Sequence, residues 1–338
     1  DLQQKTYLDK TWNQKSENRQ VSIVEAMNFR LDASYQLDAN NSIGANFGFL
    51  RNPKQTCEAN MTTAILQDEE QTESSDSHAN SFEQKSTLSS NVYYVGKIGK
   101  LGIDFNTDWL WSKNYENNVT KEQYQEVGMD AQSQTVHCLT DKYYRLLASK
   151  LVLSYPLLGG ELSLGGEYSN THRTSKYQVV PTNFVSDDDS RITESMTSSF
   201  LAYSRDFGKV SMEAGLRYEY IDFNYYEYGK YVPEQSKSYG NWFPSISLSM
   251  PVGKVQMQLS YAADINRPSY YYLRSGIQYA NRYTYETGNP FLVSEIRKNL
   301  NYELAYKWLT FDMTYSHTSN PIMSTVETYK DNPAIGLM

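Results

Sequence analysis

The side chains best suited to chemistry in this sequence include two cysteines and two acidic runs. Cys57 and Cys138 either pair in a disulfide or remain two separate thiols, and His137 does not complete a spaced set of zinc ligands. The acidic residues within 68–76 and 187–189 lack the alternation and the glycine of a calcium-binding loop, which favours solvated charge. No nucleophile elbow, phosphate-binding glycine loop or zinc helix is present. The sequence therefore predicts no catalytic residue, no metal site, no cofactor and no enzymatic activity.

Tyrosine is the most abundant side chain that could contact a ligand. The 338 residues include 30 tyrosines, 12 phenylalanines and 5 tryptophans. Phenol rings stack on sugars and other ring systems, but they also pack on one another inside long loops. Both interpretations remain open for the candidate ligand-binding residues, which are Tyr225, Tyr226, Tyr228, Tyr270, Tyr271, Tyr272, Tyr279 and Tyr283, with Tyr231 and Tyr285 nearby.

Composition excludes several classes of protein. The 31 Lys and Arg residues against 39 Asp and Glu residues give a net charge of -8, and there is no basic cluster, which argues against nucleic acid as a partner. Mean hydropathy is -0.64, and no run of about 18 apolar residues exists, so the pattern contains no membrane-spanning helix. Spanning strands remain compatible with this composition because they need only alternating polarity.

Alternation with a period of two residues runs through most of the chain. Apolar residues alternate with polar ones over 31–37 and again over 43–49, with the polar turn 38–41 between them. This pattern predicts a β-hairpin. It recurs in about six hairpins, or about 12 strands, and no segment has a helical period.

The connections between these strands are of two kinds. Short turns of about two to five residues alternate with long polar segments, so all the short turns lie at one end of the sheet. The long segments are 52–86, 114–142, 169–191, 222–241 and 262–298. Both cysteines lie in these segments. Together the features predict an antiparallel transmembrane β-barrel with short periplasmic turns and long extracellular loops, whose first partner is the lipid bilayer.

Aromatic residues near the long-loop ends of the strands support a membrane boundary. Trp and Tyr favour the interface between lipid and water. The predicted girdle consists of Trp109, Trp111, Tyr115, Tyr218, Tyr220, Trp242, Tyr261 and Tyr315. A soluble all-β protein remains the alternative, because alternation alone does not distinguish a core from lipid.

We expect three regions along the chain. Residues 27–316 form the barrel hairpins. Residues 1–26 are an extracellular loop or the end of a preceding strand, and residues 317–338 are an extracellular loop after which the barrel continues.

The segment 266–306, NRPSYYYLRSGIQYANRYTYETGNPFLVSEIRKNLNYELAY, carries the most specific signal. It resembles the C-terminal barrel of TonB-dependent receptors, in particular the outer-membrane β-barrel family common in Bacteroidota. The matching residues are Arg267, Pro268, Ser269, Tyr270, Leu273, Gly288, Asn289, Pro290, Leu292, Glu295, Asn299, Glu303, Leu304 and Tyr306. Ser294 replaces the family's proline. We interpret the motif as mainly architectural, with a direct ligand role for Arg267 or Tyr270 as the alternative.

The resemblance implies a function. Such receptors have about 22 strands around a plug, and they sit in the outer membrane of Gram-negative bacteria, where they take up a scarce solute: an iron chelate, glycan, peptide or vitamin. The resemblance also implies that the TonB complex acts through a plug that this chain does not contain, and a surface lipoprotein is a further partner to consider. The alternatives are a non-transporting barrel that acts as a scaffold or adhesin, and a soluble all-β carbohydrate-binding protein.

Overall fold

A computed structural model of the chain describes residues 2–7, 10–330 and 332–338. Among these residues, no helix has the length and apolar character needed to cross a membrane. The main sheet is antiparallel, and its strands are β1 (Leu2–Tyr7), β2 (Lys10–Asp38), β3 (Asn41–Gln67), β4 (Glu70–Ile98), β5 (Leu101–Glu126), β6 (Gln132–Leu157), β7 (Gly160–Val180), β8 (Asp188–Phe207), β9 (Val210–Glu227), β10 (Lys230–Tyr231), β11 (Lys237–Val252), β12 (Val255–Asn266), β15 (Glu295–Tyr306) and β16 (Leu309–Ser319). A second, smaller sheet contains β13 (Gln278–Asn281), β14 (Thr284–Glu286), β17 (Glu327–Tyr329) and β18 (Asn332–Leu337).

The antiparallel β-fold predicted from the alternation is confirmed. Twelve long strands pair in chain order from β2 to β16, and the pairing does not close, because β16 and β1 are the two ends of the sheet. A single turn of 3-10 helix, Pro233–Gln235, precedes β11.

Two-residue turns join the strands at one end of the sheet. Several of them require a backbone that L-residues rarely adopt, and glycine supplies it at low cost. Gly99, Gly208 and Gly253 have φ values of 63°, 66° and 66° in three of these turns. The short turns predicted at one end of the sheet are therefore present.

An apolar band covers one face of the sheet next to these turns. Leu216 on β9 pairs with Leu201 on β8 and with Pro244 on β11, and all three share this face. The two leucines are 45% and 49% exposed. The band extends over about the 9–11 residues nearest each turn, which is the length that a tilted strand needs to cross a bilayer. We call this the outer face and its opposite the inner face.

The strands β3 to β6 continue well beyond this band. The sequence predicts a loop over 52–86, but β3 runs to Gln67 and β4 begins at Glu70, with only a two-residue turn between them. The predicted loop over 114–142 is likewise mostly strand, with its turn at 127–131. The sequence shows no alternation here, because both faces of these strands carry polar residues. The strands form nonetheless, because hydrogen bonds between backbone groups do not depend on an apolar face.

Residues 267–294, which we call the folded loop, return over the inner face of β5 to β9. Within the folded loop, β13 and β14 form a hairpin that extends through β18 to β17. Apolar side chains fix it at three places. Leu273 packs with Ile192, Ile221, Phe223 and Tyr225, Tyr279 packs with Val136 and Val179, and Tyr283 packs with Ile65.

Candidate ligand-binding site

The Arg267 end of the folded loop is anchored by an ion network on the inner face. Arg267 pairs with the buried carboxylate of Glu219 on β9. The same carboxylate accepts a hydrogen bond of 2.6 Å from Arg217 Nε. The Tyr270 hydroxyl donates to Glu194 on β8 at 3.2 Å, and burial raises the pKa of that carboxyl. Both motif side chains for which a ligand role was considered are thus engaged in holding the loop.

The Gly288-Asn289-Pro290 segment crosses the earlier part of the folded loop at close range. A Cβ on Gly288 would lie 2.4 Å from the backbone oxygen of Tyr272, so only glycine fits. The Asn289 amide donates to that same oxygen at 2.7 Å. The Asn289 side chain accepts from the Phe291 amide at 2.9 Å, an arrangement that tightens the turn.

The remaining motif residues divide between the two faces and the loop. Leu273 and Leu292 belong to the apolar cluster on β8 and β9, and the backbone oxygen of Ser269 accepts from Tyr272 at 2.9 Å. Glu295, Asn299 and Glu303 alternate on the inner face of β15, opposite Leu304 and Tyr306, while Pro268 and Pro290 lie in the loop. Ser294, which replaces the family's proline, shares a hydrogen bond of 3.0 Å with the Tyr239 hydroxyl.

The structure separates the candidate tyrosines by exposure. Three are buried, at 0%, 5% and 2% exposure, and would reach a solute only if the folded loop opened: Tyr225, Tyr279 and Tyr283. Tyr226 and Tyr270 are half-buried. The exposed candidates are Tyr228, Tyr271 and Tyr272. Tyr271 and Tyr272 lie together on the folded loop, with ring centroids 5.6 Å apart.

These two rings line a groove of about 520 Å³ at the edge of the folded loop. Arg274, Glu286 and Glu327 supply its charged side chains, and Arg274 pairs with Glu286 at 3.4 Å. The Arg274 guanidinium lies 3.8 Å from the centre of the Tyr271 ring. Further lining comes from Thr287, Gly288, Asn289, Leu292, Ile322, Met323, Ser324, Thr325, Glu327, Leu337 and Met338. Aromatic and charged groups in one groove of this size suit a small polar solute.

A buried carboxylate that sequence reasoning missed holds the tip of the folded loop. Glu122 on β5 accepts a hydrogen bond of 2.6 Å from the Tyr279 hydroxyl and one of 3.1 Å from the Arg282 amide. Gln134 on β6 also donates to it. The Arg282 guanidinium stacks on Tyr124 at 3.5 Å from the ring centre. Glu122 lies in a polar stretch with no alternation, so no signal in the sequence identifies it.

The disulfide considered for the two cysteines is not formed, because both are free thiols. Cys57, Ser81, Asn118 and Cys138 occupy one row across β3, β4, β5 and β6. Three strand spacings, or about 14 Å, therefore separate the cysteines, well beyond the reach of an S–S bond. Cys138 is buried and accepts from the Tyr177 hydroxyl at 3.1 Å. Within the described part of the chain, no cluster of His, Cys, Asp and Glu could hold a metal ion.

The sequence matches a known family of barrels. Residues 96–336 match the model of the outer membrane protein beta-barrel family. The chain belongs to this family. It is accordingly a protein of the outer membrane of Gram-negative bacteria, and the apolar outer face is its lipid contact. The Bacteroidota origin implied by the motif stays a prediction.

Solved structures share the fold at low sequence identity. The ferric-catecholate import receptor Fiu from Escherichia coli K12 is 8% identical with a TM-score of 0.54, over 93% of this chain and 59% of Fiu. The alcaligin outer-membrane receptor FauA from Bordetella pertussis is 10% identical with a TM-score of 0.43, over 94% of this chain and 53% of FauA. The ferric yersiniabactin uptake receptor FyuA from Yersinia pestis is 10% identical with a TM-score of 0.48, over 89% of this chain and 54% of FyuA.

The chain therefore spans between 53% and 59% of the length of these three receptors. No curated protein matches the sequence.

Proposed function

We propose that this outer-membrane barrel forms part of a receptor for active uptake of a scarce solute. The observation that carries the proposal is the groove beside Tyr271 and Tyr272, which opens on a loop folded across the inner face of the strands. A solute bound there is positioned over the interior surface rather than on the outside of the protein. The fold shared with Fiu, an import receptor, supports the same direction of transport.

The chemistry of this function is binding and gated passage. The groove offers two exposed rings and one ion pair, which suit binding. Opening a path through the interior requires the folded loop to move off its anchors at Arg267 and Glu122. We propose that the energy reaches the barrel from the TonB complex through a plug, and that the remaining strands of the barrel lie outside residues 1–338.

A scaffold or adhesin is the second candidate, and the long hairpins of β3 to β6 favour it. Strands of 26 to 29 residues rise about 85 to 95 Å along their length, of which a bilayer takes about 30 Å. The projecting part is a surface that a partner protein or a surface lipoprotein could bind. Membership of the outer-membrane family leaves no support for the soluble carbohydrate-binding alternative.

The test uses the full-length native protein. Outer membranes run on a gel before and after boiling show whether the barrel is closed and whether its mass exceeds 38.9 kDa. A deletion strain is then grown on single sources of iron chelate, glycan, peptide and vitamin, with and without TonB. We expect a growth defect on one source, which restoring the gene reverses only when TonB is present. Normal growth on every source would favour the scaffold.

A variant pair connects uptake to the groove. Replacing both Tyr271 and Tyr272 by alanine removes the stacking surface and is expected to raise the solute concentration for half-maximal growth at least about tenfold. Tyr228→Ala is the control, because this tyrosine is also exposed but lies outside the groove. Equal effects of the two changes would remove the groove from the proposal.

A further inference from the structure

A second, smaller cavity lies between the folded loop and the inner face of β6 to β9. It has a volume of about 20 Å³, which is room for one or two water-sized groups. Its walls include Lys142 on β6, Arg173 on β7, Asp188 on β8 and Arg274 on the folded loop. Three cations thus face one carboxylate in a partly enclosed space.

The strand register explains how these groups come together. Lys142 pairs with Ser175, and Ser175 pairs with Ser190, so one row of the inner face carries an ammonium group and two hydroxyls. The adjacent row contains Arg173 beside Ile192. All these residues share the inner face, because they follow its alternation on each strand.

Two of the three cations in this cavity have no ion-pair partner. Arg173 and Lys142 make no ion pair within 4.0 Å among the described residues, whereas Arg274 pairs with Glu286. The Arg173 guanidinium lies 5.7 Å from the centre of the Tyr270 ring. Burial lowers the pKa of Arg173, and nearby Arg274 lowers it further. Arg274 Nε and Asp188 Oδ1 are buried and have no hydrogen-bond partner in the described part of the chain. Unsatisfied buried groups of this kind are uncommon. The free Arg274 donor suits an anionic ligand, whereas the free Asp188 oxygen can only accept a hydrogen bond and does not favour an anion.

We propose that this cavity binds a single carboxylate-sized anion, and that the anion is the acidic group of the transported solute. A carboxylate has two oxygens, which matches the available space, and it can accept from the forked donors of Arg173 and from the ammonium group of Lys142. Ser175 adds a hydroxyl donor on the same wall, whereas the Ser190 hydroxyl donates to Asp188. A larger group, such as an aromatic ring, does not fit.

The position of the cavity connects it to the groove. Tyr271 and Arg274 line both spaces. A solute whose rings stack on Tyr271 and Tyr272 can therefore place a carboxylate toward Arg173. This inference rests on the proposed function for the identity of the solute, but the anion site itself does not depend on transport.

The test measures acetate binding to the purified full-length protein in detergent. Sodium acetate is titrated calorimetrically at neutral pH, first in chloride buffer and then without chloride. The variants are Arg173→Gln, Arg173→Lys and, as matched control, Arg191→Gln. Arg191 lies on the opposite face of neighbouring β8 and stacks on Tyr226, so its loss removes the same charge outside the cavity. A heat-dependent mobility shift on a gel checks that each variant is folded.

We expect saturable acetate binding that weakens at least about tenfold in Arg173→Gln, partly recovers in Arg173→Lys, and changes less than about twofold in Arg191→Gln. No saturable binding, or equal losses in Arg173→Gln and Arg191→Gln, would overturn the site. Binding of chloride without binding of acetate would overturn the carboxylate assignment.

Uptake measured in parallel separates this inference from the proposed function. If the strain shows no TonB-dependent uptake but acetate binding still requires Arg173, transport is wrong and the anion site stands. If uptake is intact and acetate does not bind, the anion site is wrong and transport stands.

Discussion

The Tyr279 hydroxyl lies 2.6 Å from the carboxylate of Glu122, which is 157 residues earlier in the chain. Glu122 is only 2% exposed and has no ion pair within 4.0 Å among the described residues. Hydrogen bonds from Tyr279, Arg282 and Gln134 therefore compensate this carboxylate for its loss of contact with water. Because a buried carboxylate is costly without such donors, this contact fixes the tip of the folded loop to β5.

Removing the hydroxyl should release the tip of the folded loop. Tyr279→Phe keeps the ring in its apolar cluster but leaves the Glu122 carboxylate short of one donor, which costs about 1–3 kcal/mol. We expect faster hydrogen exchange of residues 276–287 in the full-length protein. Tyr272→Phe is the control, because that side chain is exposed. Unchanged exchange in Tyr279→Phe would mean that the hydrogen bond does not hold the loop.

Breaking the Arg267 anchor should expose the other end of the folded loop. Arg267→Gln leaves the buried Glu219 with Arg217 alone, at a cost of about 1–3 kcal/mol. We expect proteases added to intact cells to cut within 267–294 several times faster. Lys176→Gln removes an exposed ion pair with Asp189, which contributes less than about 1 kcal/mol, and should have little effect. Equal cleavage of the two variants would contradict the anchoring role.

Two neighbouring residues of β8 test which face contacts lipid. Leu201 is on the outer face and Ala202 on the inner face at the same depth. Leu201→Arg should destabilise the barrel by about 2–4 kcal/mol, because the charge enters hydrocarbon. Ala202→Arg should be tolerated better, since its side chain faces the polar interior. Urea unfolding in liposomes measures the difference, and a larger loss for Ala202→Arg would invert the assignment of the faces.

Asp188 should make the cavity region sensitive to pH. Burial raises the pKa of Asp188 to about 6, with help from the charges of Glu227 and Asp189 and against the opposing effects of Ser190 and Arg274. The folded state therefore holds this proton more tightly than the unfolded chain does. Its contribution to stability is complete below about pH 4 and is lost as pH rises through 6, by roughly 1.4 kcal/mol per pH unit.

The readout for this titration is hydrogen exchange around residues 188–192, corrected for the intrinsic effect of pH. Wild-type protection should fall between pH 4.5 and pH 7.5, whereas Asp188→Asn should be flat over the same interval and better protected at the upper end. Asp189→Asn is the control, because it changes the adjacent carboxylate, which lies on the opposite face of β8. A wild-type profile that matches Asp188→Asn would contradict the raised pKa.

The sequence predicted the hairpins, and the reason is physical. Leu201 and Leu216 face lipid while their neighbours face a polar interior, so each spanning strand has two unlike environments and alternates accordingly. Gly99, Gly208 and Gly253 mark turns because their backbone conformation excludes most other residues. Both signals are local, and both can be recognised without knowing the fold.

The site was only partly predictable because its contacts are not local. Gly288 and Asn289 belong to the motif that was interpreted as architectural, but nothing near Tyr279 indicates that it is buried against β5. Glu122 and Arg173 stand in stretches where both faces are polar, which the sequence presents as loop. Register across three strands brings Lys142, Ser175 and Ser190 together, and pairing register is not encoded in any single segment.

The long separation in sequence between Glu122 and Tyr279 also affects the order in which contacts form during folding. Hairpins closed by two-residue turns join neighbouring strands, so their loop-closure entropy is small and they can pair early. The contact that fixes the tip requires β5 and β6 to be paired and then the chain to return across four further strands. We therefore expect the loop to dock after the hairpins have formed. Until it docks, the inner surface of β5 to β9 is open to water.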